Sequence, residues 1–189
     1  MLLCFYGSIL ILARSDGNVV QHFELKTFGN SAELAQTVAG LWLDMVERLR
    51  QQNLSHTVAF SGGRIAAEFF MRAATRSIIR EISFAQVDFF WADERCVPPG
   101  NPESNFFLAN DLLASQKISP GKIHRLRGEI EPAIALAEAN AEIFKTISQR
   151  KNGLPVLDLI LLGVGPDGHV ASLFPDASLE VVSCQSPFL

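Results

Sequence analysis

Asp167 and His169 stand two residues apart in Gly163-Val164-Gly165-Pro166-Asp167-Gly168-His169. Histidine is the side chain that takes up and returns a proton near neutral pH, and a neighbouring carboxylate can orient the ring and stabilise the imidazolium. The pair reads as a general base and its acid; a turn aspartate beside a capping histidine is the plain alternative. A second group is Ser61-Gly62-Gly63-Arg64. Backbone N–H groups at a helix start, a serine hydroxyl and a guanidinium could together receive a phosphate. A tight turn that needs glycine for its backbone is the alternative. The pattern is neither G-x-G-x-x-G nor G-x-x-x-x-G-K, so neither a dinucleotide nor a nucleoside triphosphate is implied. The third group is Asp93-Glu94-Arg95, in which Arg95 could grip a phosphate while an adjacent acid holds it in place. Ser104 and Asn105 follow in the first turn of a helix, where they would face a ligand or cap the helix.

These groups need a scaffold. Val156 to Leu162 is short and apolar, interrupted only by Asp158, and predicts a strand buried on both faces of a parallel sheet. Three glycines and a proline over the next six residues end it and permit close backbone approach. Ligands of open α/β sheets bind just beyond the carboxyl ends of the strands, where this loop would lie. Upstream, Val19 to Phe28 predicts an edge strand. Asn30 and Glu33 resemble a capping box opening a helix over Ser31 to Gln52, with Leu34, Val38, Leu41, Trp42, Met45 and Leu49 on one stripe. Thr57 to Phe60 reads as a strand running into the Ser-Gly-Gly turn, with a helix from about Ile65 to Arg76. Phe84 to Trp91 reads as a third strand. Asn101 and Pro102 suit the start of a helix to Ser115, burying Phe106, Phe107, Leu112 and Leu113. Lys122 to Leu126 predicts a short strand in which His124 is structural. Pro132 opens a helix to Arg150, with Ala137, Ala141, Phe144 and Ile147 inward, stopped by Gly153 and Pro155. Strands alternating with helices predict an α/β fold: a Rossmann-like, doubly wound, mostly parallel sheet with helices on both faces.

The first thirteen residues, MLLCFYGSILILA, are too short to span a bilayer and lack a basic n-region. They are expected as an edge strand or an over-extended start. Residues 1–18 are therefore set apart as an N-terminal extension, and residues 19–189 taken as a single domain. With 189 residues and 48% hydrophobic content the chain can bury a core of its own. A net charge of −4 lacks the basic footprint of a nucleic-acid binder. Cys4, Cys96 and Cys184 are odd in number and widely spaced, which suggests reduced thiols in a cytoplasm, not a disulfide frame or a zinc site. No membrane partner is expected, and the chain is expected as a monomer or weak homo-oligomer.

Three stretches, SGGR (61–64), WADERCVPPGNPESN (91–105) and LDLILLGVGPDGHVASLFP (157–175), resemble the signature blocks of 6-phosphogluconolactonases, which belong with the glucosamine-6-phosphate deaminases. The tryptophan before Asp93-Glu94-Arg95, the Ser-Asn pair and the ASLFP block resemble the lactonase branch. The resemblance implies hydrolysis of 6-phospho-D-glucono-1,5-lactone to 6-phosphogluconate, in the pentose phosphate pathway, without metal or cofactor. It implies that His169 is the general base, Asp167 the acid beside it, Ser61, Gly62 and Gly63 the phosphate-side loop, and Arg95 a phosphate-binding arginine. Asp93, Ser104 and Asn105 lie in the matching motif. Arg64-Ile65-Ala66 departs from the Ser-Thr-Pro or Ser-Pro that many members carry, with Arg64 standing in for a hydroxyl. The resemblance also implies a fold incomplete at its C-terminal end, since members continue for several tens of residues beyond ASLFP. An inactive or merely sugar-phosphate-binding relative, and less so a glucosamine-6-phosphate deaminase-type isomerase, are the alternatives.

Overall fold

Gly7 and Ser8 separate two apolar runs, and the chain reverses on them. The computed structural model describes residues 1–14 and 22–176. In it β1 (Leu2–Tyr6) and β2 (Ile9–Arg14) form an antiparallel hairpin, with Gly7 at φ +56° in the turn. A Gly-Ser pair between two apolar runs is a hairpin signal. β3 (His22–Thr27) adds antiparallel to β2 and lies at the sheet edge, where the Val19 to Phe28 run was expected. The N-terminal stretch differs from expectation. β1 is interior to the sheet, parallel to β9 (Leu159–Gly163), and Leu3 and Phe5 are buried in the core.

Between them come α1 (Ser31–Gln51), β4 (His56–Phe60), α2 (Arg64–Ile79), β5 (Val87–Trp91), two short helices α3 (Asn105–Leu108) and α4 (Asn110–Ser115), and β6 (Ile123–His124). α5 (Pro132–Thr146) and a two-stranded ribbon, β7 (Arg150–Lys151) with β8 (Leu154–Pro155), complete the described chain before β9. The seven-stranded sheet runs β3-β2-β1-β9-β4-β5-β6. Its pairings from β1 through β6 are all parallel, so the mostly parallel α/β sheet predicted from the sequence is what forms. No helix among the described residues is long and apolar enough to cross a membrane.

Helices cover both faces. α1, α2 and α4 pack over Val58, Phe60, Phe89, Trp91, Leu159 and Leu161. Trp42 of α1 sits at the centre of this core, stacked on Phe84 at 5.4 Å and edge-on to Phe60 at 5.5 Å, with its Nε1–H donated to Nε2 of the buried His56. The helix begins where predicted. Asn30 accepts from the Glu33 N–H at 2.9 Å, and the Glu33 carboxylate reaches back to the Gly29 N–H. On the other face Ile143 and Ile147 pack with Ala59 and Phe90.

Three expectations are corrected on packing grounds. β9 is not buried on both faces: Leu159 and Leu161 are buried, but Ile160 and Leu162 are half-buried, because α5 stands over β4 and β5. The inward face of α5 carries Ile143, while Ala137, Ala141 and Phe144 are exposed and the helix stops at Thr146. The predicted Pro102 to Ser115 helix is two short ones starting at Asn105, because Ser104, not Asn101, caps it; the break leaves Phe107 39% exposed.

His124 is structural, as read from the sequence. Its ring stacks on Phe90 at 4.5 Å, Nε2 lies 3.0 Å from Asp88 and Nδ1 2.9 Å from Glu142, joining β5, β6 and α5. Burial alone would raise the Asp88 carboxyl, but hydrogen bonds from His124 and Lys122 outweigh it and hold the group below its ordinary range. A folded pKa below the unfolded one stabilises the fold above the unfolded value, and that contribution is lost as pH falls through the folded value. Unfolding free energy should therefore decline between about pH 5 and pH 2, and Asp88→Asn should flatten that decline in urea titrations.

Candidate active site

Because β1, β9, β4 and β5 run parallel, their carboxyl ends share one edge of the sheet. The segments that leave these ends line one cavity of about 820 Å³. It is lined by Ser61, Gly62, Gly63 and Arg64 after β4, by Asp93 and Arg95 after β5, and by Gly163 to Pro166 and His169 after β9. Seven of the ten residues singled out from the sequence therefore face a common space. Asp167 stands behind His169, and Ser104 and Asn105 stand behind the lining.

The turn after β4 is built by glycine. Gly63 precedes α2 with φ +103°, a conformation that side chains rarely adopt. A Cβ on Gly62 would lie 1.7 Å from Asn105 Oδ1, so this strand end can carry no side chain. α2 then starts with no side-chain cap and no acid in its first turn. The contrast with α1 is informative: there Asn30 and Glu33 occupy the helix start, whereas the first-turn N–H groups of α2 have no such partner. Arg64 and Arg95 are exposed at the cavity, and among the described residues neither guanidinium pairs with a carboxylate. Together they give the cavity a positive end.

Asp167 and His169 meet on the Gly163 to His169 loop. His169 Nδ1 is 2.6 Å from Asp167 Oδ1, and the His169 N–H also meets that oxygen at 3.3 Å. The hydrogen bond from the ring, then the backbone one, hold the exposed Asp167 carboxyl below the usual carboxylate range, so it is ionised at neutral pH. An ionised acceptor fixes Nδ1 as the protonated nitrogen and leaves the Nε2 lone pair free. The ring lies over Phe174 at 5.0 Å, and a Cβ on Gly165 would come within 2.2 Å of it. Glycine at 165 thus gives the imidazole its place.

Ser104 and Asn105 are buried. Ser104 caps α3 by accepting from the Phe107 N–H, and Asn105 donates to the Asp93 carbonyl at 3.0 Å. Glu94, expected from the sequence only as an acid that holds Arg95 in place, organises this corner instead. Its carboxylate accepts from the N–H groups of Arg95, Asn105 and Phe106 and from the Ser104 hydroxyl. Gly7 and Ser31 also line the cavity without having been singled out; only the sheet order brings them there. Ser172, in the ASLFP block, donates to Asp93 at 3.2 Å. Among the described residues no group of three or more His, Cys, Asp or Glu side chains could hold a metal ion.

Residues 29–186 match the family model for glucosamine-6-phosphate isomerases/6-phosphogluconolactonase. The chain is 38% identical over 145 residues to the 6-phosphogluconolactonase of Treponema pallidum, covering 76% of this chain and 59% of that protein. It is 40% identical over 139 residues to that of Haemophilus influenzae, covering 69% and 58%. The crystal structure of the Thermotoga maritima 6-phosphogluconolactonase superposes with a TM-score of 0.66 at 29% identity, covering 80% of this chain and 64% of that one. The chain thus spans less than two thirds of the length of these relatives.

Proposed function

This chain belongs to the glucosamine-6-phosphate isomerase/6-phosphogluconolactonase family, and from that premise we propose that it hydrolyses 6-phospho-D-glucono-1,5-lactone to 6-phosphogluconate. The observation that carries the proposal is the placing of an oriented imidazole and an uncapped helix start around one cavity with two arginines that, among the described residues, pair with no carboxylate.

In this reading the phosphate sits at the start of α2, taking N–H groups of the Gly62 to Arg64 turn, with Arg64 and Arg95 as charged partners. That anchor sets the lactone against His169. Nε2 takes a proton from water as the water oxygen bonds to the lactone carbonyl carbon. The tetrahedral intermediate collapses, the bond from that carbon to the ring oxygen breaks, and the imidazolium returns the proton to the departing oxygen. Water is consumed and a carboxylic acid and an alcohol result. A lactone carbonyl is already electrophilic, so an oriented base and an anchored substrate carry the barrier lowering. The reaction belongs in a reducing cytoplasm, in keeping with the free thiols of Cys4 and Cys96. The chain works on a small sugar-phosphate lactone, with neither nucleic acid nor membrane as partner, as a monomer or weak homo-oligomer.

The test is lactone opening by the folded 189-residue chain, followed as acid release against the spontaneous rate. Acceleration is expected. Saturable binding of 6-phosphogluconate without turnover would instead mark a sugar-phosphate binder, and ammonia release from glucosamine 6-phosphate would mark an isomerase-type activity.

A further inference from the structure

Asp93 lines the cavity, yet it is 8% exposed and both of its carboxylate oxygens are already engaged by protein hydroxyls. Oδ1 accepts from Ser61 at 2.6 Å and Oδ2 from Ser172 at 3.2 Å. Its main-chain carbonyl accepts from Asn105 Nδ2, and the Asn105 side chain fills the space beside Gly62. One buried side chain at the end of β5 thus touches the anion loop on one side and the segment that follows His169 on the other.

Ser172 lies in a tight turn, Val170 to Leu173, closed by reciprocal backbone hydrogen bonds of 3.0 and 2.9 Å. Ala171 in that turn has φ +53°, a left-handed conformation that disfavours a side chain. Such a conformation persists only where surrounding contacts hold it. The turn is continuous with the catalytic loop: Val170 bridges to Val164, and the His169 carbonyl accepts from the Gly165 N–H at 2.8 Å. What holds Ser172 therefore helps to hold the His169 ring.

We propose that Asp93 is a strut between the two halves of the site rather than a substrate ligand, and that Ser172 is the positioning residue through which it sets His169. The kinetic side of this proposal rests on the lactonase reading. The experiment compares Ser172→Ala, Ser172→Thr, Asp93→Ala and the double variant Ser172→Ala/Asp93→Ala by steady-state kinetics. The His169 Cε1–H resonance is followed by NMR in the same proteins, assigned with His169→Gln. Ser172→Ala should lower kcat about tenfold with KM within about twofold, because a hydrogen bond to a charged acceptor is lost only on the base's side. Ser172→Thr, which keeps the hydroxyl, should recover most of kcat. Asp93→Ala should lower kcat and raise KM, and adding Ser172→Ala to it should cost nothing further in kcat.

Wild-type kcat and an unmoved His169 resonance in Ser172→Ala would overturn the proposal, as would losses that add fully in the double variant. Should Asp93→Ala not fold, the Ala and Thr variants at 172 decide the matter. Should the wild-type chain show no turnover, the lactonase reading fails separately. The strut is then judged by NMR: a His169 resonance moved by Ser172→Ala and restored by Ser172→Thr upholds it, and an unmoved one overturns it.

Discussion

Replacing His169 with alanine should lower kcat by about 10²- to 10⁴-fold while KM stays within a small factor, the loss ordinary for a positioned general base. The split follows from the layout. His169 lies on the loop after β9, whereas the proposed phosphate anchor lies on the turn after β4 and beyond β5. Removing the imidazole should leave the anchor intact. The ring is 31% exposed in its side chain and rests on Phe174 and Asp167, so its loss should cost the fold little. Added imidazole should restore part of the rate in His169→Ala, since the space beside Gly165 that held the ring is then open. A kcat within threefold of wild type, about 0.7 kcal/mol in barrier, would remove His169 from the chemistry.

The largest effect on stability is expected at Trp42. Its ring meets Phe60, Phe69, Phe84 and Phe89 at centroid distances of 5.5, 5.6, 5.4 and 6.4 Å, and it is 1% exposed. Truncating a buried tryptophan costs about 3–5 kcal/mol through lost transfer energy and the cavity left behind. Total stability of a domain is about 5–15 kcal/mol, so the loss is a large share of it. Trp42→Ala should lower Tm by roughly 6–20 °C, from about 2–4 °C per kcal/mol at this chain length. It would also leave the His56 Nε2 acceptor, buried with its residue at 1% exposure, without the indole donor. Trp42→Phe separates the two contributions: it keeps most of the packing and loses the N–H, and should cost about 1–3 kcal/mol. Thermal and urea unfolding of the three proteins measure this. A Trp42→Ala chain within 1 kcal/mol of wild type would mean the aromatic cluster is not the centre of the core.

What the sequence made legible was local. Asn30 and Glu33 announced the start of α1, and the apolar runs ending in glycine marked β4 and β9 with their loops. Two hairpin signals were equally local and went unread. Gly7-Ser8 joins β1 to β2, and Asn152-Gly153, with φ of +52° and +83°, joins β7 to β8. The buried face of α5 was not legible for a different reason. Ala133 to Ala137 are all apolar, so periodicity leaves the rotation of the helix open, and the position of Phe90 and Ala59 decides it. The place of β1 beside β9, more than 150 residues away, is a matter of sheet order that no local pattern carries.

The candidate site divides in the same way. Residue types and spacing single out His169, Asp167, the Ser-Gly-Gly turn and the two arginines, because each has a chemistry of its own. Ser104 and Asn105 were weighed between ligand contact and capping, and burial with their hydrogen bonds gives them a supporting place behind Asp93 and Gly62. Glu94 meets Ser104, Asn105 and Phe106, 10 to 12 residues away, and Ser172 meets Asp93, 79 residues away, so these contributions are invisible until the chain is folded.

The proposed delivery of a lactone to His169 by a phosphate anchored at the start of α2 bears directly on substrate choice. It is tested most directly by comparing kcat/KM for 6-phosphogluconolactone with that for unphosphorylated glucono-1,5-lactone, in one preparation of this chain. The phosphorylated lactone should be favoured by at least about 10²-fold, since the anchor's binding energy is available to it alone. Equal values for the two lactones would mean that no such phosphate anchor operates.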